Sequence, residues 1–294
     1  MDTWRSWWST DHGRARDRGG HRLRAGAAVL LAGLSLMSLT PPAAAGAVRL
    51  AIAAHRGGAR LWPENSLTAF RGALGLGVDL VELDVHQTRD GEVVVVHDPT
   101  LERTTTGRGA VRDLTWAELS PVTIRGTAAE RLPRLVEVLA LLQPTPVGLL
   151  LEIKTGPGGE RYPGIEERVL ALVQAARLAE RTTVMAFDWT ILERLRALSP
   201  SVRLTGLLSH RGAERAGGVG AVAPRLRALG ANDLGIERTL LTPEAVRVAH
   251  DAGLSIGVWT VNEPEELRQA LAAGVDYVTT DQPDLALRLR GARP

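Results

Sequence analysis

Short apolar runs rich in β-branched residues alternate along the chain with longer stretches of helix-like periodicity. The runs are 48–54 (VRLAIAA), 79–84 (DLVELD), 93–97 (VVVVH), 147–153 (VGLLLEI), 182–187 (TTVMAF), 203–208 (RLTGLL), about 231–236, 255–260 (SIGVWT) and 275–280 (VDYVTT). They predict strands, and their nearly unbroken apolar character predicts burial on both faces. Helices are predicted over 65–75, 132–142, 164–179, 189–198, 242–252 and 263–273. Asp188, Thr242-Pro243 and Asn262 with Pro264 supply start signals. Gly77, Gly253 and Gly274 stand where helices should stop.

Such alternation predicts a parallel sheet with helices outside it. One pair of runs breaks the rhythm. Only eight residues separate Asp84 from Val93, and they include Asp90-Gly91. A parallel crossover needs about a dozen or more, so this is a predicted hairpin turning at Asp90-Gly91. Discounting its returning arm leaves eight strands. The predicted fold is therefore α/β, a (β/α)8 TIM barrel with an extra hairpin strand after the second strand. An open doubly wound sheet is the competing arrangement.

Composition narrows the class. The chain has 294 residues, 45% hydrophobic and 23% charged, which fits neither disorder nor a multi-span membrane protein. There is no cysteine, which excludes disulfides, thiolate metal sites, a cysteine nucleophile and a lipid-modified N-terminal cysteine. Six of the 35 basic residues and three of the 33 acidic ones lie in residues 1–47, leaving 29 against 30 in the body. The basic character thus belongs to the first segment, and no bulk charge argues for nucleic acid. Residues 1–24 are Arg-rich, 25–39 are uncharged and largely apolar, and a small-residue run follows at 43–47. That order reads as a secretory signal over residues 1–47, followed by a single domain at 48–294. The expectation is a secreted or extracytoplasmic protein with no stable membrane span once the leader is removed, or a membrane-anchored one if the leader stays.

In a barrel the chemistry gathers at the C-terminal ends of the strands. Here those ends carry His55-Arg56-Gly57-Gly58, Glu82-Leu83-Asp84, His97-Asp98, Glu152-Ile153-Lys154, Trp259-Thr260-Val261-Asn262 and Thr279-Thr280-Asp281. Glu82 and Asp84, two apart on a strand, share a face. With Glu152 they form an oxygen-rich set suited to a hard divalent ion, Mg2+ or Ca2+. An acidic group matched by Arg56 or Lys154 is the alternative. If the hairpin turns at 90–91, His97 falls roughly opposite Asp84. His55 and His97 beside a metal can serve as acid and base. His86, His210 and His250 are assigned structural roles. Arg56 and Lys154, the one lysine in the chain, add positive charge suited to phosphate.

Taken together, His55-Arg56-Gly57-Gly58, Pro63-Glu64-Asn65-Ser66, Val81-Glu82-Leu83-Asp84-Val85, Thr88-Arg89-Asp90-Gly91, Val96-His97-Asp98-Pro99-Thr100-Leu101-Glu102-Arg103-Thr104-Thr105, Glu152-Ile153-Lys154, Val258-Trp259-Thr260-Val261-Asn262 and Thr280-Asp281-Gln282-Pro283 resemble the glycerophosphodiester phosphodiesterase family. The resemblance spans about residues 50–288. It implies a barrel of the phospholipase-C-like phosphodiesterase type that hydrolyses glycerophosphodiesters to an alcohol and glycerol 3-phosphate. It implies Glu82, Asp84 and Glu152 as ligands of Ca2+ or Mg2+, and His55 and His97 as the acid–base pair. It also implies Arg56, Lys154, Glu64, Asn65 and Trp259 on the substrate side. The alternatives are a phospholipase D-like or teichoic-acid-type phosphodiesterase on the same site, and a non-catalytic extracytoplasmic binding protein. The last should have lost site residues, whereas every matched position is filled. Residues 208–230 match nothing in the family pattern. The segment after Asp98 leaves no room for a large cap, so a fairly open mouth is expected, bordered by Trp62 and Trp259.

Overall fold

A computed structural model describes residues 49–291; the leader predicted at 1–47 lies outside them. The strands are β1 (Ala51–Ala54), β2 (Leu80–Gln87), β3 (Val93–Val95), β4 (Gly148–Ile153), β5 (Thr182–Ala186), β6 (Arg203–Leu208), β7 (Asp233–Glu237), β8 (Ser255–Trp259) and β9 (Tyr277–Thr280). The order β1-β9-β8-β7-β6-β5-β4-β2 is parallel throughout, and β1 also pairs with β2. Eight strands therefore close into a barrel. β3 stands outside it, antiparallel to the end of β2.

The helices are α1 (Leu67–Leu76), α2 (Trp116–Leu119), α3 (Leu135–Leu142), α4 (Ile165–Ala175), α5 (Trp189–Leu198), α6 (His210–Ala216), α7 (Val219–Leu229), α8 (Pro243–Asp251), α9 (Pro264–Ala273) and α10 (Pro283–Gly291). No helix among the described residues is long and apolar enough to cross a membrane. Strand side chains divide by parity, as the two-residue repeat requires. Val81, Leu83, Leu149, Leu151, Ile256 and Val258 join the core between sheet and helices. Glu82, Glu152, Met185, Leu207 and Trp259 face the barrel's cavity. A smaller core of Val94, Val96, Leu101, Val111, Leu119 and Leu132 anchors the excursion that follows β3.

Most helix signals act as predicted. Asp188 and Thr242 cap α5 and α8, and Gly77 and Gly274 end α1 and α9 in left-handed geometry. Asn262 does not cap α9. Glu263 does so in a capping box with Glu266, which releases the Asn262 side chain for another use. The unmatched 208–230 stretch folds as α6 and α7. Ser209 caps the first, and Val222, Ala223 and Leu226 bury the second. Gly217, Gly218, Gly220 and Pro224 obscure that periodicity in the sequence. α10 also lies beyond the predicted set.

One glycine shapes the cavity floor. A Cβ at Gly257 would overlap the Tyr277 ring, which lies across β8. We therefore predict that Gly257→Ala destabilises the fold by about 1–3 kcal/mol through overpacking. Thermal denaturation should show a Tm several degrees lower; an unchanged Tm would mean that Tyr277 relaxes freely.

Candidate active site

The site lies at the C-terminal ends of the strands, where a parallel barrel leaves backbone and side chains open to loops. After β1 the chain turns at once. Arg56 takes a left-handed φ of 52° and Gly57 one of 83°, and a Cβ at Gly57 would meet Ala69 of α1 at 2.7 Å. The turn directs the Arg56 N–H to Glu82 Oε2 at 2.8 Å. The Arg56 guanidinium reaches Glu64 at 2.9 Å and Asp84 at 3.4 Å.

Glu82 and Asp84 project inward from β2. Glu152 faces them from β4, with Asp84 and Glu152 as direct ladder partners. All three are buried, and each offers a carboxylate oxygen within 4.8 Å of the others. Lys154 Nζ lies 2.8 Å from Glu152 and 3.3 Å from Asp84. Two cations thus serve three buried carboxylates. Burial, then the charges of Asp84 and Glu152, push Glu82 up to about 8. Burial likewise raises Glu152, with Asp84 adding to the effect. Burial also penalises the Asp84 anion, yet Lys154 and Arg56 outweigh it and hold that carboxyl well below the usual range. Asp84 Oδ1 is buried with the Lys154 ion pair at 3.3 Å but no well-directed hydrogen bond. This excess of hard oxygen donors over compensating charge fits a divalent cation.

Each histidine has its own carboxylate. His55 Nδ1 meets Asp281 Oδ1 at 2.6 Å, and His97 Nδ1 meets Asp98 Oδ1 at 2.7 Å. An accepting carboxylate keeps the proton on Nδ1 and leaves Nε2 free as an acceptor. Burial alone would lower His55, but the Asp281 bond and the Glu82 charge reverse the effect and raise it. Burial lowers His97, reinforced by the charges of Lys154 and Arg56. Behind Asp281 stands Asn262, which donates from Nδ2 at 2.7 Å and accepts the Asp281 N–H at 2.9 Å.

The hairpin register differs by one residue from the sequence expectation. Val96, not His97, lies opposite Asp84, with its N–H donating to the Asp84 carbonyl at 3.1 Å. β3 ends at Val95, so His97 lies beyond the ladder and its side chain turns into the cavity free of strand alternation. His86 is buried: Tyr162 donates to its Nδ1 at 2.7 Å, and its Nε2 donates to the His97 carbonyl at 3.0 Å. Burial lowers it to about 4.

His55, Arg56, Glu82, His97, Glu152 and Lys154 line one arc of the cavity. Met185, Phe187, Leu207, Trp259 and Tyr277 line the other. Trp259 donates its indole N–H to Gly235 and meets Phe187 edge-on, with centroids 5.4 Å apart. Glu64 and Asn65 stand behind the lining. Both Glu64 oxygens are held by Arg56 and Arg103, and the Asn65 amide donates to Asp84 Oδ2 at 3.0 Å. Trp62 packs over Gly58 and Gly72. Sequence reading assigned no part in the chemistry to Asp98, Arg103, Asp281 or Phe187, and read Asn262 only as a helix start signal. Motif membership pointed to all but Phe187, but contacts such as His55–Asp281, 226 positions apart, are made only by barrel closure.

Comparison with known proteins agrees with this fold. The model of the Glycerophosphoryl diester phosphodiesterase family matches residues 55–285. A glycerophosphodiester phosphodiesterase of Caldanaerobacter subterraneus subsp. tengcongensis is 33% identical over 245 residues, covering 81% of this chain and 96% of its own. Among solved structures, a glycerophosphodiester phosphodiesterase from Agrobacterium tumefaciens is 27% identical at a TM-score of 0.69, covering 81% of this chain and 99% of that one. An Oleispira antarctica phosphodiesterase, solved with the product sn-glycerol-3-phosphate, is 25% identical at a TM-score of 0.69, covering 82% and 97%.

Proposed function

Because this chain belongs to the glycerophosphodiester phosphodiesterase family, we propose that it cleaves glycerophosphodiesters to an alcohol and glycerol 3-phosphate by histidine acid–base catalysis at a metal-assisted site. The observation that carries this reading is the pairing of two carboxylate-braced histidines with a buried three-carboxylate cluster and two cations in one cavity.

Glu82, Asp84 and Glu152 would hold Ca2+ or Mg2+, which supplies charge neutralisation at the non-bridging phosphate oxygens. Arg56 and Lys154 add hydrogen-bonded positive charge to the same oxygens. One histidine takes a proton from the attacking oxygen, a water or the adjacent glycerol hydroxyl, as the new P–O bond forms; in the second case a water then opens the cyclic phosphate to glycerol 3-phosphate. The other gives a proton to the departing alkoxide as the ester P–O bond breaks. Trp259 and Phe187 offer an apolar face to the carbon skeleton. Glu64 and Asn65 act one step back, holding Arg56 and Asp84. The test is glycerol 3-phosphate release from glycerophosphocholine by the purified protein. A folded protein that binds glycerol 3-phosphate but releases none would favour the binding-protein reading instead. Phe187, 45% exposed beside the cavity, gives reason to run lysophosphatidylcholine in parallel; faster cleavage of it would move the substrate class to lipids.

Asp281 is proposed to hold the His55 tautomer, with Asn262 fixing its plane. Asp281→Asn keeps an acceptor but loses the charge. We expect kcat to fall on the order of 10²-fold or more with KM little changed. Steady-state kinetics decide the matter: an equal loss in 1/KM alone would place Asp281 in substrate binding.

A further inference from the structure

Arg103 touches neither the cavity lining nor the carboxylate cluster, yet its guanidinium joins two arms of the site. Along one edge, Nε and Nη2 donate to Asp98 at 2.6 and 2.9 Å. Along the other, Nη1 and Nη2 donate to Glu64 at 2.9 and 2.8 Å. Asp98 in turn receives the His97 Nδ1 proton at 2.7 Å, and Glu64 receives the Arg56 Nη1 proton at 2.9 Å. One planar group thus ties a histidine that follows β3 to an arginine that follows β1. Each carboxylate between them is held by a two-point fork, so neither can rotate without breaking a bond.

The arrangement should contribute modestly to stability. Arg103 is 47% exposed and its partners Glu64 and Asp98 are 16% and 25% exposed; isolated exposed ion pairs are worth about 0–1 kcal/mol, and forked pairs in a network are the ones that contribute measurably. Its value is geometric, since a fork fixes a carboxylate's plane and a point charge does not. Lysine would keep the charge but could not present two parallel N–H edges to two carboxylates.

We propose that Arg103 is a positioning residue that sets the His97 imidazole and the Arg56 guanidinium in a common register on the substrate phosphate. This inference rests on the phosphodiesterase reading above. A misplacement of about 1 Å can cost on the order of 10²-fold in rate, so a lock of this kind has a measurable consequence far from the reacting atoms.

The test compares Arg103→Lys and Arg103→Ala with the wild-type full chain. Both variants should keep a Tm near that of the wild type. Both should lose about 10²-fold in kcat on glycerophosphocholine and bind glycerol 3-phosphate more weakly by calorimetry. Ethylguanidinium added to Arg103→Ala should restore part of the kcat, and added to Arg103→Lys should not. Wild-type kcat and glycerol 3-phosphate affinity in Arg103→Lys would overturn the proposal, since charge alone would then suffice. So would a Tm that collapses in step with kcat without rescue, which would make the residue merely structural. If the wild-type protein turned over no glycerophosphodiester, the fault would lie with the phosphodiesterase reading. The glycerol 3-phosphate affinities of wild type and Arg103→Lys would still decide the positioning role.

Discussion

His97→Ala and His55→Ala should each lower kcat by about 10²- to 10⁴-fold, the range that positioned proton transfer contributes. Both residues sit at strand ends beside the cavity, outside the packed cores. Removing either ring opens no hole among the helices, so circular dichroism and Tm should stay close to wild type. His55→Ala leaves the Asp281 carboxylate with Asn262 as its remaining side-chain partner, and should be the less stable of the two. The double variant should lose little more than the worse single one, because a base and an acid that serve one displacement act as a unit. Near-normal turnover in either single variant, with the fold intact, would remove that histidine from the reaction.

Chelation should have an effect of similar size. EDTA is expected to abolish glycerol 3-phosphate release, and Ca2+ or Mg2+ to restore it. The carboxylate cluster predicts a second, activity-independent signature. Burial and the neighbouring carboxylates raise Glu82 from 4.5 to about 8. The metal-free folded state therefore binds its proton more tightly than the unfolded state does. Stability should accordingly fall as pH rises from about 4.5 towards 8, and a divalent ion should reverse that fall at pH 8. Glu82→Gln removes this titration and leaves those of Glu152 and His55, which the fold also raises. It should weaken the pH dependence, melt higher than wild type in EDTA at pH 8, and remain inactive. A Tm indifferent to both ions, with activity that survives EDTA, would sink the metal assignment.

The protein's residue patterns made some of this legible and hid the rest. Apolar β-branched runs predicted the strands because burial on both faces demands them, and the short Asp84–Val93 link predicted the hairpin because no crossover fits. Strand parity placed Glu82 and Asp84 on one face. Motif resemblance brought in Glu64 and Asn65 without saying what they touch; the folded chain puts them behind Arg56 and Asp84. Asn262 shows the limit. A helix cap and a partner for Asp281 call for the same short polar side chain, and only the folded chain shows which use is made of it.

The α/β alternation, the parallel strands and the residue types at the strand ends are legible in the chain alone, because they follow from local periodicity and burial. Closure of the eight strands into a barrel, the one-residue shift at His97, the Asp281 and Asp98 braces, and the Arg103 bridge emerge from the folded chain. The last three depend on that closure and on a loop that leaves its ladder, which bring together side chains that no sequence spacing relates.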